Sequence, residues 1–567
     1  MRACGIVGLA LAIGIGAASA QEMRSPRISP VRADWDALAQ ELQAIEEAQI
    51  NQSRPQGSLG ERLAADGFRR VNSATGERFA NIAASPVPVL LPFNTLAFLR
   101  DRADRAARDD AENYLSGFNS VPFFHAGPGG YDAVVLARAQ DMPELGIGFS
   151  NPIYIHIGGA ALLYELDEPN GMIAWPVTAL DEFPGLRRIF LENYVRYIFV
   201  RYGVSYALAI ECFDGRSRFR KISCRDADKV AIRALKALKL VGGTPQERVE
   251  QVGSATIDRP QSESSVFTYY PPGNLVPRSG FRGKGGVADR TVYSRIRFPL
   301  ADAPAFANSQ SFTRWTDCDA NNGAARGAIG AYRCGESGQP QARSEAANYS
   351  YPWRDNFCES RAFYVGQCPG GRGHQGQDLR PASCKQRSPG AHCEPGVHDL
   401  VAVRDGAVLR AAGQESLFLV VNAPNVRIRF RYLHMSPKQL DAEGMVSGRL
   451  VREGEAIGKV GNFYRREAGT FAHLHFDVQV PTKYGWVFVN PYMTLVAAYE
   501  RLIHGRGQEI RDDIGPDVPI GLLPTQPIVP LSVQAPADLR AAARAFARAR
   551  PRAWHIRHGS HASDDQR

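Results

Sequence analysis

Beyond its first twenty residues the chain has no apolar run of about 18 residues, so no segment reads as a membrane-crossing helix. It has no C-x-x-C pair, which removes the usual zinc-ribbon spacing. It carries no recognisable nucleic-acid motif, and nucleic acid is not an expected partner. Lysine is scarce, nine residues against 58 arginines, so the net charge of +9 reads as an arginine bias in composition. No internal repeat is evident.

What is present is globular. With 44% hydrophobic and 22% charged residues, the chain is not wholly disordered, and 567 residues leave room for three or four domains of about 150. The start reads as a secretory signal: Arg2, a short apolar stretch over 6–16, and Ala18, Ser19 and Ala20 before a cut at Gln21. Eight cysteines then remain. They fall as neighbours, Cys212 with Cys224, Cys318 with Cys334, Cys358 with Cys368, and Cys384 with Cys393. An even number in an exported chain favours disulfides, and sequential pairing closes the smallest loops.

The reading along the chain is multidomain. Residues 1–20 are the signal, 21–78 a helical leader with Val31, Trp35, Leu38, Leu42 and Ile45 on one stripe, and 79–253 an α+β region. Within that region, 87–92, 153–164 and 194–212 read as strand and 97–115 as a charged helix. Asp226 caps a further helix that ends at Gly242 and Gly243. His156, in an apolar run, reads as a core or interface histidine. Residues 254–349 read as an irregular linker and 350–500 as the chemical domain. A Pro-rich and then Arg/Ala-rich tail covers 501–567, with a basic helix expected over 537–549 and a loose end bearing His555, His558 and His561.

Six of twelve histidines, His374, His392, His398, His434, His473 and His475, lie between 374 and 475. His374 and Asp378 offer an imidazole and a carboxylate four residues apart. His473, Leu474, His475 and Phe476 alternate, so in a strand both histidines share one face while Leu474 and Phe476 enter the core. Residues 427–434 alternate in the same way, with His434 at the end. A catalytic zinc site takes three protein ligands and keeps one position open. His374, Asp378 and one of the paired histidines would make that set, and the other histidine would handle protons.

The ordered run His374-x-Gly376-x-Asp378, Tyr432-x-His434, Gly454-Glu455-x-Ile457-Gly458-x-Val460-Gly461, His473-Leu474-His475-Phe476 and Asn490-Pro491 resembles the lysostaphin/LytM-type zinc metallopeptidases over about 350–500. The resemblance implies a mainly antiparallel β-sheet catalytic domain, a duplicated hybrid motif, beside the N-terminal α+β region. It implies one zinc held by His374, Asp378 and His475, with His434 and His473 as catalytic histidines and His473 favoured as base. It further implies hydrolysis of peptide cross-links in bacterial peptidoglycan. The signal and the disulfides favour the periplasm, or secretion, as the location, and the N-terminal region is left to target the enzyme, cover its groove or bind an envelope partner.

Two stretches depart from that pattern: a loop over 381–400 containing Cys384 and Cys393, and the bulky, basic segment 462–472. His392 and His398 read as loop histidines, Asp477 as a strand carboxylate, and Tyr432 as a packing residue as much as a substrate contact. Two other classes of function fit the same pattern. One is a non-catalytic relative that binds peptidoglycan or activates an amidase. The other is a secreted zinc protease acting on proteins.

Overall fold

The computed structural model describes residues 22–47, 60–101, 114–166, 175–176, 183, 185–191, 194–212, 222–245, 257–275, 286–307, 352–359, 361, 363–369, 371–381, 394–464, 466–470 and 472–510. All lie within one compact unit, 1–514. The fold is mostly β, and two antiparallel sheets dominate it.

The first sheet is built from β1 (Ser120–Gly127), β2 (Gly130–Ala137), β3 (Ile153–Ala160), β4 (Trp175–Pro176), β5 (Arg187–Leu191), β6 (Tyr194–Arg201) and β7 (Val204–Glu211). Its order is β1-β2-β3-β7-β6-β5-β4. Side chains alternate across a strand. Tyr131, Ala133 and Val135 of β2, and Val195, Tyr197 and Phe199 of β6, join one apolar core together with helix Cys224–Ala237. That helix buries Ala227, Val230, Ala231, Ala234 and Leu235 at spacings of three and four, and Ser223 caps it by accepting the N–H of Asp226 at 3.1 Å. Asp132, Val134 and Arg196 point the other way and are buried as well.

The second sheet comprises β8 (Ala305–Ala307), β9 (Gln377–Pro381), β10 (Gly406–Leu409), β11 (Leu417–Ala423), β12 (Val426–Leu433), β13 (Leu450–Val451), β14 (Leu474–Thr482) and β15 (Gly485–Val489). The order is β8-β9-β14-β12-β11-β10-β13, with β15 also on β14. Ile428, Phe430 and Tyr432 of β12, and Leu474, Phe476, Val478 and Val480 of β14, form its apolar face under helix Tyr492–Leu502. The opposite face carries Arg427, Arg429 and Arg431 on β12, and His475, Asp477 and Gln479 on β14, all buried.

The two sheets meet through that polar face. Arg427 and Arg429 both pair with Asp132, and Arg427 Nη2 donates to the Tyr131 carbonyl at 2.8 Å. Asn422 accepts from the Gly129 N–H at 2.7 Å and donates to the Gly130 carbonyl at 2.8 Å. A small apolar cluster of Phe123, Val134, Ala407, Leu409 and Val420 seals the same interface.

Several local expectations change. The strand expected over 194–212 is a hairpin, β6 and β7, turning at Tyr202 and Gly203 with positive φ of 52° and 74°. The stretch 153–164 is two strands, the second being Leu162–Glu165, which pairs with Arg27–Pro30. The helix expected over 97–115 is described as Thr95–Arg100, capped by Asn94, and 102–113 lie outside the described residues. Helix Cys224–Ala237 stops before Gly242 because Leu238 is already extended, and Lys239–Gly242 instead pairs with Val89–Leu91. The expected leader contains helices Trp35–Glu47 and Gly60–Thr75.

Residues 254–349, read as an irregular linker, contribute strands Glu263–Tyr269 and β8 where they are described. The cause is aromatic burial: Phe267 and Phe298 pack with Trp353 on Tyr499, at ring separations of 4.7 to 5.8 Å. Disulfides join Cys212 to Cys224 and Cys358 to Cys368 as expected. The other two pairings, the signal, His392 and the tail from 511 onward lie outside the described residues. Residues 501–510, expected in that tail, instead end helix Tyr492–Leu502 and form strand Arg506–Glu509, which pairs in parallel with Glu263–Tyr269. No helix among the described residues is long and apolar enough to cross a membrane.

Asp132 supplies a test of the sheet-to-sheet interface. Burial opposes its ionisation, yet Arg427 and Arg429 hold the carboxyl well below the usual carboxylate range. Removing one partner of a buried pair costs about 3–5 kcal/mol, so Asp132→Asn should lower stability by that order in denaturant titrations at pH 7. A depressed carboxylate contributes fully above its unfolded pKa of about 4 and loses that contribution as pH falls. The gap between wild type and variant should therefore shrink below pH ~4; a gap independent of pH would count against the ion pair.

Candidate metal centre

The second sheet brings the motif residues together through its register. Asp378 on β9 lies opposite His475 on β14, and His475 lies opposite Leu433 on β12. His374 arrives just before β9, and its backbone is held by Glu359 and Cys358 of the segment that the Cys358–Cys368 disulfide closes. Two close approaches need glycine. A Cβ on Gly376 would sit 2.4 Å from the Phe476 carbonyl oxygen, and one on Gly461 would sit 2.2 Å from that of His434.

Three donor atoms converge. His374 Nε2 lies 2.8 Å from His475 Nδ1, and each lies 3.2 Å from Asp378 Oδ1. Zinc bonds of 2.0–2.1 Å in a tetrahedron separate their donors by about 3.3 Å. The triangle is therefore of the right size. Among the described residues, His374, Asp378 and His475 form a group able to hold a metal ion, and all three are buried. Asp378 Oδ2 is buried with no hydrogen-bond partner, an expensive state for a carboxylate unless a cation or further donor meets it. Neutral imidazoles and a carboxylate are the donor set that zinc accepts.

Hydrogen bonds set the tautomers. A carbonyl can only accept, so His374 Nδ1–H donates to the Asn356 carbonyl at 2.9 Å, which leaves Nε2 free to ligate. His434 Nδ1–H donates in the same way to the Phe463 carbonyl at 2.8 Å and presents Nε2. His434 directly follows β12 with φ of 75°, an uncommon conformation outside glycine. Its ring centroid is 4.6 Å from that of His473 and 6.1 Å from that of His475. His473 Nε2 lies 3.4 Å from Asp378 Oδ1.

Charge is distributed unevenly. Burial lowers His374 to about 4 against the pull of Asp378, and burial with the neighbouring His473 and His475 keeps His434 well below its ordinary value. Burial also opposes a charge on His475, but hydrogen bonds and charge from Asp378 and Asp477 push it up to about 9. Burial works against the Asp378 anion too, yet His374 and His473 hold it well below the usual carboxylate range. These directions favour a proton on His475 beside the Asp378 anion, and a divalent metal would take the place of that proton.

The four histidines and one carboxylate expected to form the site, His374, His434, His473, His475 and Asp378, come together here. His398 and Tyr432 do not join them. His398 lies beside strand Asp399–Val401, where its carbonyl accepts from Val460 N–H. Tyr432 faces the apolar core: its hydroxyl donates to the Val401 carbonyl at 2.9 Å and accepts from Val403 N–H at 3.1 Å. Asp477 and Asn356 matter more than their sequence context indicated. Asp477 Oδ2 lies 3.4 Å from His475 Nε2, and the i+2 spacing already placed it on that face. Asn356 carries no such signal: its carbonyl holds His374 and its side-chain oxygen accepts from Asp378 N–H at 3.1 Å.

No protein-family model matches the chain. No curated protein matches it either. Among solved structures it is similar to a Ruminococcus gnavus ATCC 29149 protein proposed to be the glycyl-glycine endopeptidase LytM, at 20% identity and a TM-score of 0.17. That match covers 24% of this chain and 50% of that protein, so the chain spans half the length of the structure it matches.

The geometry separates ligands from neighbours. His475→Ala should abolish stoichiometric zinc binding, measured by metal analysis of the dialysed protein. His473→Ala should retain zinc, because His473 is not among the three residues whose donor atoms converge. Zinc retained by His475→Ala would rule out the assignment.

Proposed function

We propose that the protein is an exported zinc-dependent endopeptidase that hydrolyses peptide cross-links of bacterial peptidoglycan. The observation that carries this reading is the convergence of His374, Asp378 and His475 into a metal-sized triangle with two further histidines beside it. A purely structural zinc site is normally closed by a fourth protein ligand. Here the fourth neighbours are histidines whose imidazoles serve proton transfer. The choice of peptidoglycan rests on the ordered sequence motifs. Export, with the periplasm as the favoured destination, rests on the signal-like start and agrees with the two disulfides.

A zinc ion at this site would acidify a water molecule and polarise the scissile carbonyl. The chain's own groups then have distinct work. His473, next to Asp378, accepts the proton of the attacking water. His434, neutral and fixed through the Phe463 carbonyl, offers Nε2 towards the reacting centre, where it shuttles a proton to the leaving amine or hydrogen-bonds the developing oxyanion. Asn356 keeps His374 in the tautomer that ligates. Proton transfer by a positioned histidine contributes about 10²–10⁴-fold to rate.

Mature protein incubated with purified cross-linked peptidoglycan should release soluble muropeptides and deplete cross-linked dimers, read by mass spectrometry. Chelator should stop the reaction, and His473→Ala should lower the rate by about 10²-fold or more while zinc stays bound. Zinc-loaded protein that releases nothing from this substrate but cleaves a glycine-rich peptide would move the assignment to a protease acting on proteins.

A further inference from the structure

The polar face of the second sheet continues from the metal centre into the first sheet through an unbroken series of buried contacts. His475 Nε2 lies 3.4 Å from Asp477 Oδ2, an ion-pair distance, and Arg431 Nε donates to that same oxygen. The other carboxylate oxygen, Oδ1, accepts from Gln479 Nε2 at 3.1 Å. Gln479 Oε1 accepts from Arg196 Nη2 at 2.7 Å, and Arg196 Nη1 donates to the Trp486 carbonyl at 2.8 Å. Arg196 belongs to β6 of the first sheet and is 2% exposed; Asp477 and Gln479 are fully buried.

The direction of this series follows from its donors. A guanidinium has no acceptor, so Arg196 can meet only the carbonyl end of the Gln479 amide. The NH₂ end must then face Asp477, where it pins Oδ1 and stops the carboxylate from rotating. Held in that plane, Asp477 keeps Oδ2 at ion-pair distance, 3.4 Å, from His475 Nε2, which favours the proton on Nε2 and leaves the Nδ1 lone pair for the side of His374 and Asp378. Outer partners of metal-ligating histidines fix tautomer and ring orientation in this manner. We infer that Arg196 of the N-terminal sheet is a positioning residue for the metal ligand His475, acting through Gln479 and Asp477. The N-terminal sheet is thereby part of the metal centre's support. This rests on the metal-site reading above.

The test uses the full mature chain and zinc affinity measured by competition with a chromophoric chelator, together with the visible spectrum of the cobalt-substituted protein, which reports ligand geometry. Arg196→Met and Gln479→Leu should each weaken zinc binding by about tenfold or more and shift the cobalt bands, and Arg196→Lys should recover part of the loss. Asp132→Asn breaks the neighbouring sheet-to-sheet ion pair without touching this series, and its zinc affinity should equal that of wild type. If Arg196→Met does not fold, Gln479→Leu tests the same link. Wild-type affinity and an unchanged cobalt spectrum in the folded variants would overturn the inference, as would an equal loss of affinity in Asp132→Asn. A wild-type protein that binds no zinc at all would instead overturn the metal-site reading itself.

Discussion

Asp132 is buried, and so are the two guanidinium groups that it meets. A charged group taken out of water must find a partner or lose its charge. The polar face of the second sheet carries Arg427, Arg429 and Arg431 in succession, three cations that no apolar layer could cover. Asp132 neutralises the first two from the opposite sheet, and Asp477 neutralises the third from within. Without the first sheet, Arg427 and Arg429 would need solvent. The two sheets are therefore coupled by charge as well as by the small apolar seam around Val134 and Val420.

The same face changes character along β14. At Gln479 it is covered by the first sheet, at Asp477 it is internally paired, and at His475 it reaches the metal cluster. This gradation explains how deeply buried titratable groups coexist there. Each one uses its neighbour's charge or hydrogen bond, while at the Asp378 end the buried Oδ2 has no hydrogen-bond partner. A cation fits at that position, where the preceding pairs have run out.

Part of this was readable in the sequence and part could not be. The alternation of residues 473–476 places two imidazoles on one face through the two-residue period of a strand, a purely local property, and His374 and Asp378 lie only four residues apart. The Cys212–Cys224 and Cys358–Cys368 bridges are equally local. Asp132 and Arg196 are nearly 300 residues from their partners, on strands whose own pattern marks them merely as polar positions. Their role depends on which surface the first sheet meets, and no spacing encodes that. Residues 257–307 misled for the opposite reason. Their Gly, Pro and Ser content reads as irregular chain, while the few aromatics that fix them, Phe267 and Phe298, act through Trp353 and Tyr499, far away in the sequence.

The depth of the metal cluster bears on how the sheet is used. His374, Asp378, His473 and His475 are all at most 4% exposed, and His434, at 7%, is the most exposed of the five residues. His434 pays for that position with a left-handed backbone, made sterically feasible by Gly461 against its carbonyl. The bulky residues Phe463 and Tyr464 then follow directly: the first supplies the carbonyl that sets the His434 tautomer, and the second places its ring 6.1 Å from the imidazole. A segment that looked from the sequence like a departure from a smaller turn is thus the support of the His434 imidazole. Shortening it would remove a hydrogen-bond acceptor from the site as well as bulk from its rim.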